Sequence, residues 1–183
     1  MARLPYLDAD DLAEQDREIV ARGMNLHRLL AHSPEAARRF SGVARYLRFD
    51  SPLDPRLREM AILQVCYLAR SPYAYSHHVR LGRAVGVSEA DIRAIETESA
   101  GADSGLPDFD RTVLRAAREM TARPSLTDAT FEALRAELSE TQIVDLVVAI
   151  ALYNGAVRLL GALEVDVEPD LQPELDAHPL PKE

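Results

Sequence analysis

Residues 59–78 of the chain read EMAILQVCYLARSPYAYSHH. They follow Asp54-Pro55, an N-cap residue with proline at the first helical position, which predicts that a helix starts there. Positions 60–69 are almost all apolar, as in a helix that is buried on every side. Ser71-Pro72 repeats the start signal and predicts a second helix, for which Gly86 is a natural stop.

Helix signals continue through the rest of the chain, and no stretch shows the sustained alternation of a strand. They predict an all-α fold, and because ~100–150 residues is the usual domain size, we expect a single domain over residues 25–165. Residues 1–24 are predicted to form an N-terminal helix and arm, with an amphipathic helix at 9–22. The proline-rich, acidic residues 166–183 are predicted to form an extended or disordered tail.

A weak internal repeat relates residues 79–87 to residues 157–165, where Val, Arg, Leu, Ala and Val recur at the same spacing. A true duplication would give two buried helical hairpins packed with pseudo-two-fold symmetry. A chance match among common residue types is the alternative.

The chain carries a formal net charge of −9 over 183 residues and has no extended basic cluster. This argues against nucleic acid and anionic membranes as partners. No secretory signal pattern opens the sequence, and no apolar run approaches the ~18 residues of a membrane span. We therefore expect a cytoplasmic protein. Cys66 is the only cysteine, so no thiol pair is present for redox cycling.

Glu59 shares a predicted helix face with apolar residues, so its carboxylate needs a partner or a shifted pKa. The alternative is a surface acid in the first turns of a helix, where the dipole stabilises it. On the next helix Ser71, Ala74 and His78 line one face. Ser71 lies at the positive helix end, where it either stabilises an oxyanion or simply caps the helix.

His77 and His78 are adjacent, so their side chains point about 100° apart and do not form the i, i+4 pair of a zinc helix. No other cluster of metal ligands has a suitable spacing. The sequence also has no glycine-rich phosphate loop and no Gly-x-Ser-x-Gly elbow. We therefore expect neither a metal nor a cofactor.

The order of Glu59, Ser71, Ala74 and His78 resembles the Glu–Cys–x–x–Cys–x–x–x–His signature of the carboxymuconolactone decarboxylase/alkylhydroperoxidase D-like superfamily. The resemblance covers roughly residues 20–165 and extends to several flanking segments, which are Asn25-Leu26, Leu30-Ala31-His32-Ser33-Pro34, Gly86-Val87-Ser88-Glu89-Ala90-Asp91-Ile92, Leu138-Ser139-Glu140 and Tyr153-Asn154. It implies an all-helical bundle that assembles as a homo-oligomer, with the site near a subunit interface.

Ser71 and Ala74 stand where the peroxidase branch has its two reactive thiols, so the resemblance implies a scaffold without that peroxidase chemistry. The decarboxylase branch has a Tyr-Glu-Trp-x-x-His motif. Tyr73 and His78 match this motif and Tyr75 keeps an aromatic ring, but Ala74 replaces the glutamate. That replacement puts lactone decarboxylation itself in doubt.

We expect a cofactor-free enzyme that uses acid/base chemistry on a small organic acid, lactone or related carbonyl compound. His78 would be the general acid/base and Glu59 would orient it. Glu59 and His78 should lie on an antiparallel hairpin, on the order of 6 Å apart along the helix axes. Side chains that would shape the pocket are Ser71, Tyr73, Tyr75 and His77. The alternatives are a thiol peroxidase that uses Cys66 and a non-catalytic binding protein.

Overall fold

The computed structural model describes residues 1–181, and the predicted all-α fold is confirmed, because this part of the chain contains helices and no strand. The α-helices are α1 (Asn25–Leu30), α2 (Pro34–Phe49), α3 (Pro55–Leu68), α4 (Pro72–Ala84), α5 (Glu89–Ser99), α6 (Asp108–Ala122), α7 (Asp128–Glu137), α8 (Glu140–Leu163) and α9 (Gln172–Ala177).

Helix α3 lies at the centre of the molecule and packs against α4, α5, α6 and α8. The Asp54 side chain caps it by accepting a hydrogen bond from the Leu57 amide. Ten successive residues, 58–67, are buried, and most of them are apolar. A helix apolar on all sides is stable only inside a core, so its sequence determines its central position.

The turn between α3 and α4 reverses the chain at Arg70, whose φ of 49° is unusual for a residue other than glycine. Ser71 follows in extended conformation and starts α4 without a side-chain capping bond. The two helices form the expected hairpin. As a result, Glu59 on α3 faces His78 on α4.

Helix α8 starts with a capping box between Ser139 and Gln142. It is long and apolar enough, by length and composition alone, to cross a membrane. It packs against α2, α3, α4, α6 and α7 inside the helical fold. The buried Asp145 accepts hydrogen bonds from Ser51 and Tyr46, which satisfies its carboxylate inside the protein.

Three segments differ from the sequence predictions. The amphipathic helix expected at 9–22 is replaced by two 3-10 helices, Ala9–Asp11 and Glu14–Ile19, because few apolar residues anchor this charged segment. The second copy of the repeat begins inside the continuous helix α8 and ends just after it, so no turn separates this copy from the apolar helix before it. Residues 166–181 are not simply extended or disordered, since they form a 3-10 helix, Pro169–Leu171, and α9.

We refer to residues 166–178 as the C-terminal strap, because they pack along α4 through charged side chains. Glu168 bonds His77, Asp170 pairs with Arg80, and Glu174 pairs with Arg83. The partners on α4 are three residues apart and therefore lie on one side of that helix. This charge pattern explains why an acidic, proline-rich segment is held in place.

Replacing Ile150 by Ala should lower the free energy of unfolding by about 2–5 kcal/mol, because the side chain is 0% exposed and its loss leaves a cavity. Val144→Ala is the control on the same helix. Val144 is 59% exposed, so the expected change is below about 0.5 kcal/mol. Urea denaturation measures both values, and equal losses would contradict the assigned orientation of α8.

Candidate active site

Glu59 and His78 form a buried hydrogen-bonded pair between α3 and α4. Glu59 Oε2 lies 2.6 Å from His78 Nδ1, and the two residues are 3% and 6% exposed. Gly82 makes room for Val87 beside this pair, since an added Cβ would come within 3.1 Å of the Val87 side chain, whereas its distance of 3.6 Å to Glu59 Cβ is an ordinary contact. The predicted coupling of the two residues thus takes the form of a direct hydrogen bond.

The second oxygen of Glu59 is held by the neighbouring Arg58. Oε1 accepts hydrogen bonds from Nε at 3.2 Å and from Nη2 at 3.0 Å, while Nη1 donates to the Leu47 carbonyl at 2.9 Å. Burial by itself raises the pKa of Glu59, but the charges and hydrogen bonds of His78 and Arg58 more than offset it, so the pKa is lowered. Glu59 is therefore an ionised, fully bonded carboxylate.

The hydrogen bond to Glu59 determines which nitrogen of His78 is available. A carboxylate accepts, so Nδ1 carries the proton in the neutral ring and Nε2 keeps its lone pair. Within residues 1–181, Nε2 has no protein hydrogen-bond partner. The Tyr153 ring meets the imidazole edge to face, with 4.6 Å between centroids and an interplanar angle of 85°. The ring is thus oriented from two sides.

A cavity of about 440 Å³ adjoins His78 between the hairpin, α2, α8 and the N-terminal 3-10 segment. Its volume lies in the range of ~300–1,000 Å³ that is usual for small-molecule sites. Of the residues predicted for the site, four line it: Glu59, Tyr73, His77 and His78. Most of the remaining wall is apolar, with Ile19, Met24, Leu26, Phe40, Phe49, Ile62, Leu81, Leu152 and Leu160 among its residues.

A second histidine–carboxylate pair joins α4 to the C-terminal strap. His77 Nε2 is 2.9 Å from Glu168 Oε2, and Glu168 Oε1 accepts from the Tyr73 hydroxyl at 3.0 Å and from the Asn25 amide at 2.8 Å. Burial by itself raises the pKa of Glu168, but the hydrogen bonds from His77 and Asn25 outweigh this effect and lower the pKa to about 2. The C-terminal strap thereby fixes two side chains of the cavity wall.

Two predicted site residues lie outside this cavity. Ser71 precedes the first helical turn, so its side chain does not follow the face that carries His78. Tyr75 is displaced from His78 by about 60° around α4, since successive residues are ~100° apart. Its ring lies 6.1 Å from that of Tyr67, and both line a small groove on another side of the molecule.

Residues 34–119 match the model of the carboxymuconolactone decarboxylase family. This segment of the chain is therefore similar to proteins of that family. A comparison with curated proteins finds no match.

Solved structures of other proteins share this fold. A peroxidase-related protein from Ralstonia eutropha JMP134, described as an alkylhydroperoxidase AhpD core, has 19% identity, covers 98% of each chain and has a TM-score of 0.80. A peroxidase-related protein from Silicibacter sp. TM1040 has 21% identity, covers 92% of each chain and has a TM-score of 0.73. The debrominase Bmp8 in complex with 2,3,4-tribromopyrrole has 17% identity, covers 96% of this chain and 98% of its own, and has a TM-score of 0.76.

The present chain has no CxxC pair, and its one cysteine is inaccessible. Cys66 is 0% exposed in the last turn of α3, and burial raises the pKa of its thiol far above the ordinary value. Because the thiolate is the form that attacks peroxides, Cys66 has the properties of an inert core residue.

Three residues that organise the site were not predicted to do so. Arg58 precedes Glu59 and is 3% exposed, yet on sequence alone an arginine in the first turn of a helix indicates a surface residue. Tyr153 belongs to a segment that resembles the superfamily, but nothing in the sequence indicates that its ring contacts His78. Glu168 lies in the segment expected to be extended or disordered. Tyr153 and Glu168 act through contacts between distant parts of the chain, whereas Arg58 bonds its neighbour Glu59.

The hydrogen bond to Glu59 predicts the tautomer of His78. In ¹⁵N NMR spectra above neutral pH, the parent should show His78 protonated at Nδ1, while Glu59→Gln should shift the population towards protonation at Nε2. His32, which is exposed and bonds only the Pro5 carbonyl, serves as the internal control and should not change. An unchanged His78 tautomer in Glu59→Gln would show that the carboxylate does not orient the ring.

Glu168→Gln should destabilise the protein by about 1–2 kcal/mol at pH 7, because a bonded carboxylate is replaced by a neutral amide. The folded pKa of about 2 is below the unfolded value of about 4.3, so this stabilisation is complete above roughly pH 5 and is lost as the pH falls towards 2. Urea denaturation across this range should show the two proteins converging at low pH. The exposed Glu137→Gln control should show no such trend, and a pH-independent difference would contradict the prediction.

Proposed function

We propose that the protein is a cofactor-free enzyme that performs acid/base chemistry on a small organic acid, lactone or related carbonyl compound. The observation that carries the proposal is the position of His78, which is bonded through Nδ1 to a buried ionised carboxylate and borders the cavity with no protein partner for Nε2. A base whose other nitrogen is fixed by an acceptor is the usual arrangement for directed proton transfer.

In this proposal Nε2 of His78 removes a proton from the substrate and later returns it. The imidazolium formed in between is stabilised by Glu59, which stays ionised because Arg58 neutralises its second oxygen. Burial raises the pKa of Tyr153, so its hydroxyl remains a neutral donor beside the reacting centre. Tyr73 and His77 contribute to the wall, held by Glu168.

A thiol peroxidase reaction has less support than acid/base chemistry. Such turnover requires an accessible thiolate to attack the peroxide and, in the dithiol scheme, a second thiol to resolve the product. Cys66 is inaccessible, and positions 71 and 74 are serine and alanine. We therefore favour a lyase-type reaction over an oxidation. A binding protein without catalysis is the outcome if no proton transfer is found.

We also propose that the protein acts as a homo-oligomer, on the basis of the superfamily resemblance, and that it acts in the cytoplasm, on the basis of the sequence pattern. Exposed apolar side chains on α2, including Val43 and Tyr46, support a subunit contact. The cavity wall formed by α2 would then lie close to that contact.

Proton abstraction next to a carbonyl group exchanges a substrate hydrogen for deuterium in D₂O. ¹H NMR of a panel of lactones and keto acids should reveal exchange by the parent protein. His78→Gln should slow it by about 10²–10⁴-fold and Glu59→Gln by about tenfold or more. The exposed His32→Gln control should retain the parent rate within about twofold.

Full exchange by His78→Gln would refute the assignment of the base. Peroxide turnover with dithiol reductants that disappears in Cys66→Ser would instead establish the peroxidase alternative.

A further inference from the structure

The wall of the His78 cavity has a charge opposite to that of the whole chain. The net charge of the chain is −9, yet the cavity wall contains two glutamates, Glu18 and Glu59, and five arginines: Arg22, Arg38, Arg45, Arg48 and Arg58. Side chains around a binding site determine the local potential independently of the net charge. The local excess of positive charge therefore points to the ligand.

Two of the five arginines are neutralised by the protein itself. Arg58 pairs with Glu59, and Arg38 pairs with Asp16 and Glu18. The remaining three, Arg22, Arg45 and Arg48, have no carboxylate within 4.0 Å in the part of the chain that the structure describes. These three guanidinium groups, which are exposed at the cavity, therefore have no carboxylate partner among residues 1–181.

Arg45 and Arg48 are held at the cavity by an aromatic side chain. Their guanidinium carbons lie 5.7 and 5.1 Å from the centre of the Phe49 ring, and Phe49, which is 58% exposed, also lines the cavity. Cation–π contacts of this kind fix a guanidinium group without using its N–H donors. Both groups therefore retain donors for a ligand carboxylate.

The positive charge of the arginines also acts on the cavity wall. Burial lowers the pKa of His27, and the charge of Arg22 lowers it further. In addition, the wall contains one unsatisfied polar atom, since His27 Nδ1 is buried without a hydrogen-bond partner within the described residues.

We infer that the ligand of this cavity is a small aromatic or otherwise unsaturated organic monoanion, whose carboxylate binds Arg45 and Arg48. Its planar body would pack on Phe49 and the apolar wall, with the far end near His78. The carboxylate supplies the counterion that the protein lacks, and an apolar body matches most of the cavity surface. This inference rests on the proposed function for the reaction at His78, whereas binding itself does not depend on turnover.

Benzoate and benzamide test this inference, because they have nearly the same shape and differ in charge. NMR titration of the ¹⁵N-labelled full chain at low salt should show benzoate binding at least tenfold more tightly than benzamide, with shifts at the resonances of His78 and Tyr153. Added salt should weaken benzoate alone, since it screens the charges. In Arg45→Gln/Arg48→Gln, the affinity for benzoate should fall about tenfold, and that for benzamide by less than about twofold.

The matched control is Arg70→Gln/Arg93→Gln. Both arginines are exposed and lie outside this cavity, and each double variant changes the formal net charge from −9 to −11. The control should bind benzoate as the parent does. An equal loss in both double variants would overturn the inference, because only the net charge would then matter.

Equal affinity of the parent for benzoate and benzamide would also overturn the inference. So would a change in oligomer mass, by light scattering, in the Arg45/Arg48 variant alone, because the two arginines would then belong to a subunit contact. Benzoate binding by a protein that exchanges no substrate protons would support this inference while refuting the proposed function.

Discussion

The site depends on one buried carboxylate. Glu59 is ionised inside the protein, where an isolated charge costs many kcal/mol, because Arg58 and His78 bond its two oxygens. The Asp54 cap determines where α3 starts, and the chain reversal at Arg70 brings α4 back along it, so that the 2.6 Å contact can form. Removing either partner would leave a buried charge uncompensated, so the packing of the hairpin and the polarity of the site are coupled.

The hairpin and its central pair were predictable because their signals are local. Cap residues followed by proline mark both helix starts. Given a turn between the two helices, the helical rise places Glu59 and His78 close together, although they are nineteen residues apart in the sequence. Ser71 and Tyr75 show the limit of this reasoning. Ser71 shares the face of His78 only if the helix already includes it, and it does not. The contacts of Tyr153 and Glu168 join positions 75–95 residues apart, which no local pattern specifies.

Two adjacent histidines on α4 meet different carboxylates because their side chains diverge by about 100°. His78 turns inward to a carboxylate on the central helix, in the least exposed part of the molecule, and is left with one unbonded nitrogen at the cavity. His77 turns towards the C-terminal strap and shares Glu168 with Tyr73. The same residue type thus serves the proposed proton transfer at one position and fixes the cavity wall at the next.

The contact of Glu168 with His77 and Tyr73 has a consequence for synthesis in the cell. When α3 and α4 have left the ribosome, the hairpin and the Glu59–His78 pair have all of their own residues available. The wall beside them lacks its anchoring carboxylate until a further ninety residues or so have been translated. During that interval α8 is also incomplete, so the nascent chain would expose the apolar residues of α2 and of the hairpin that later line the cavity. Exposed apolar surface of this kind is what chaperones bind.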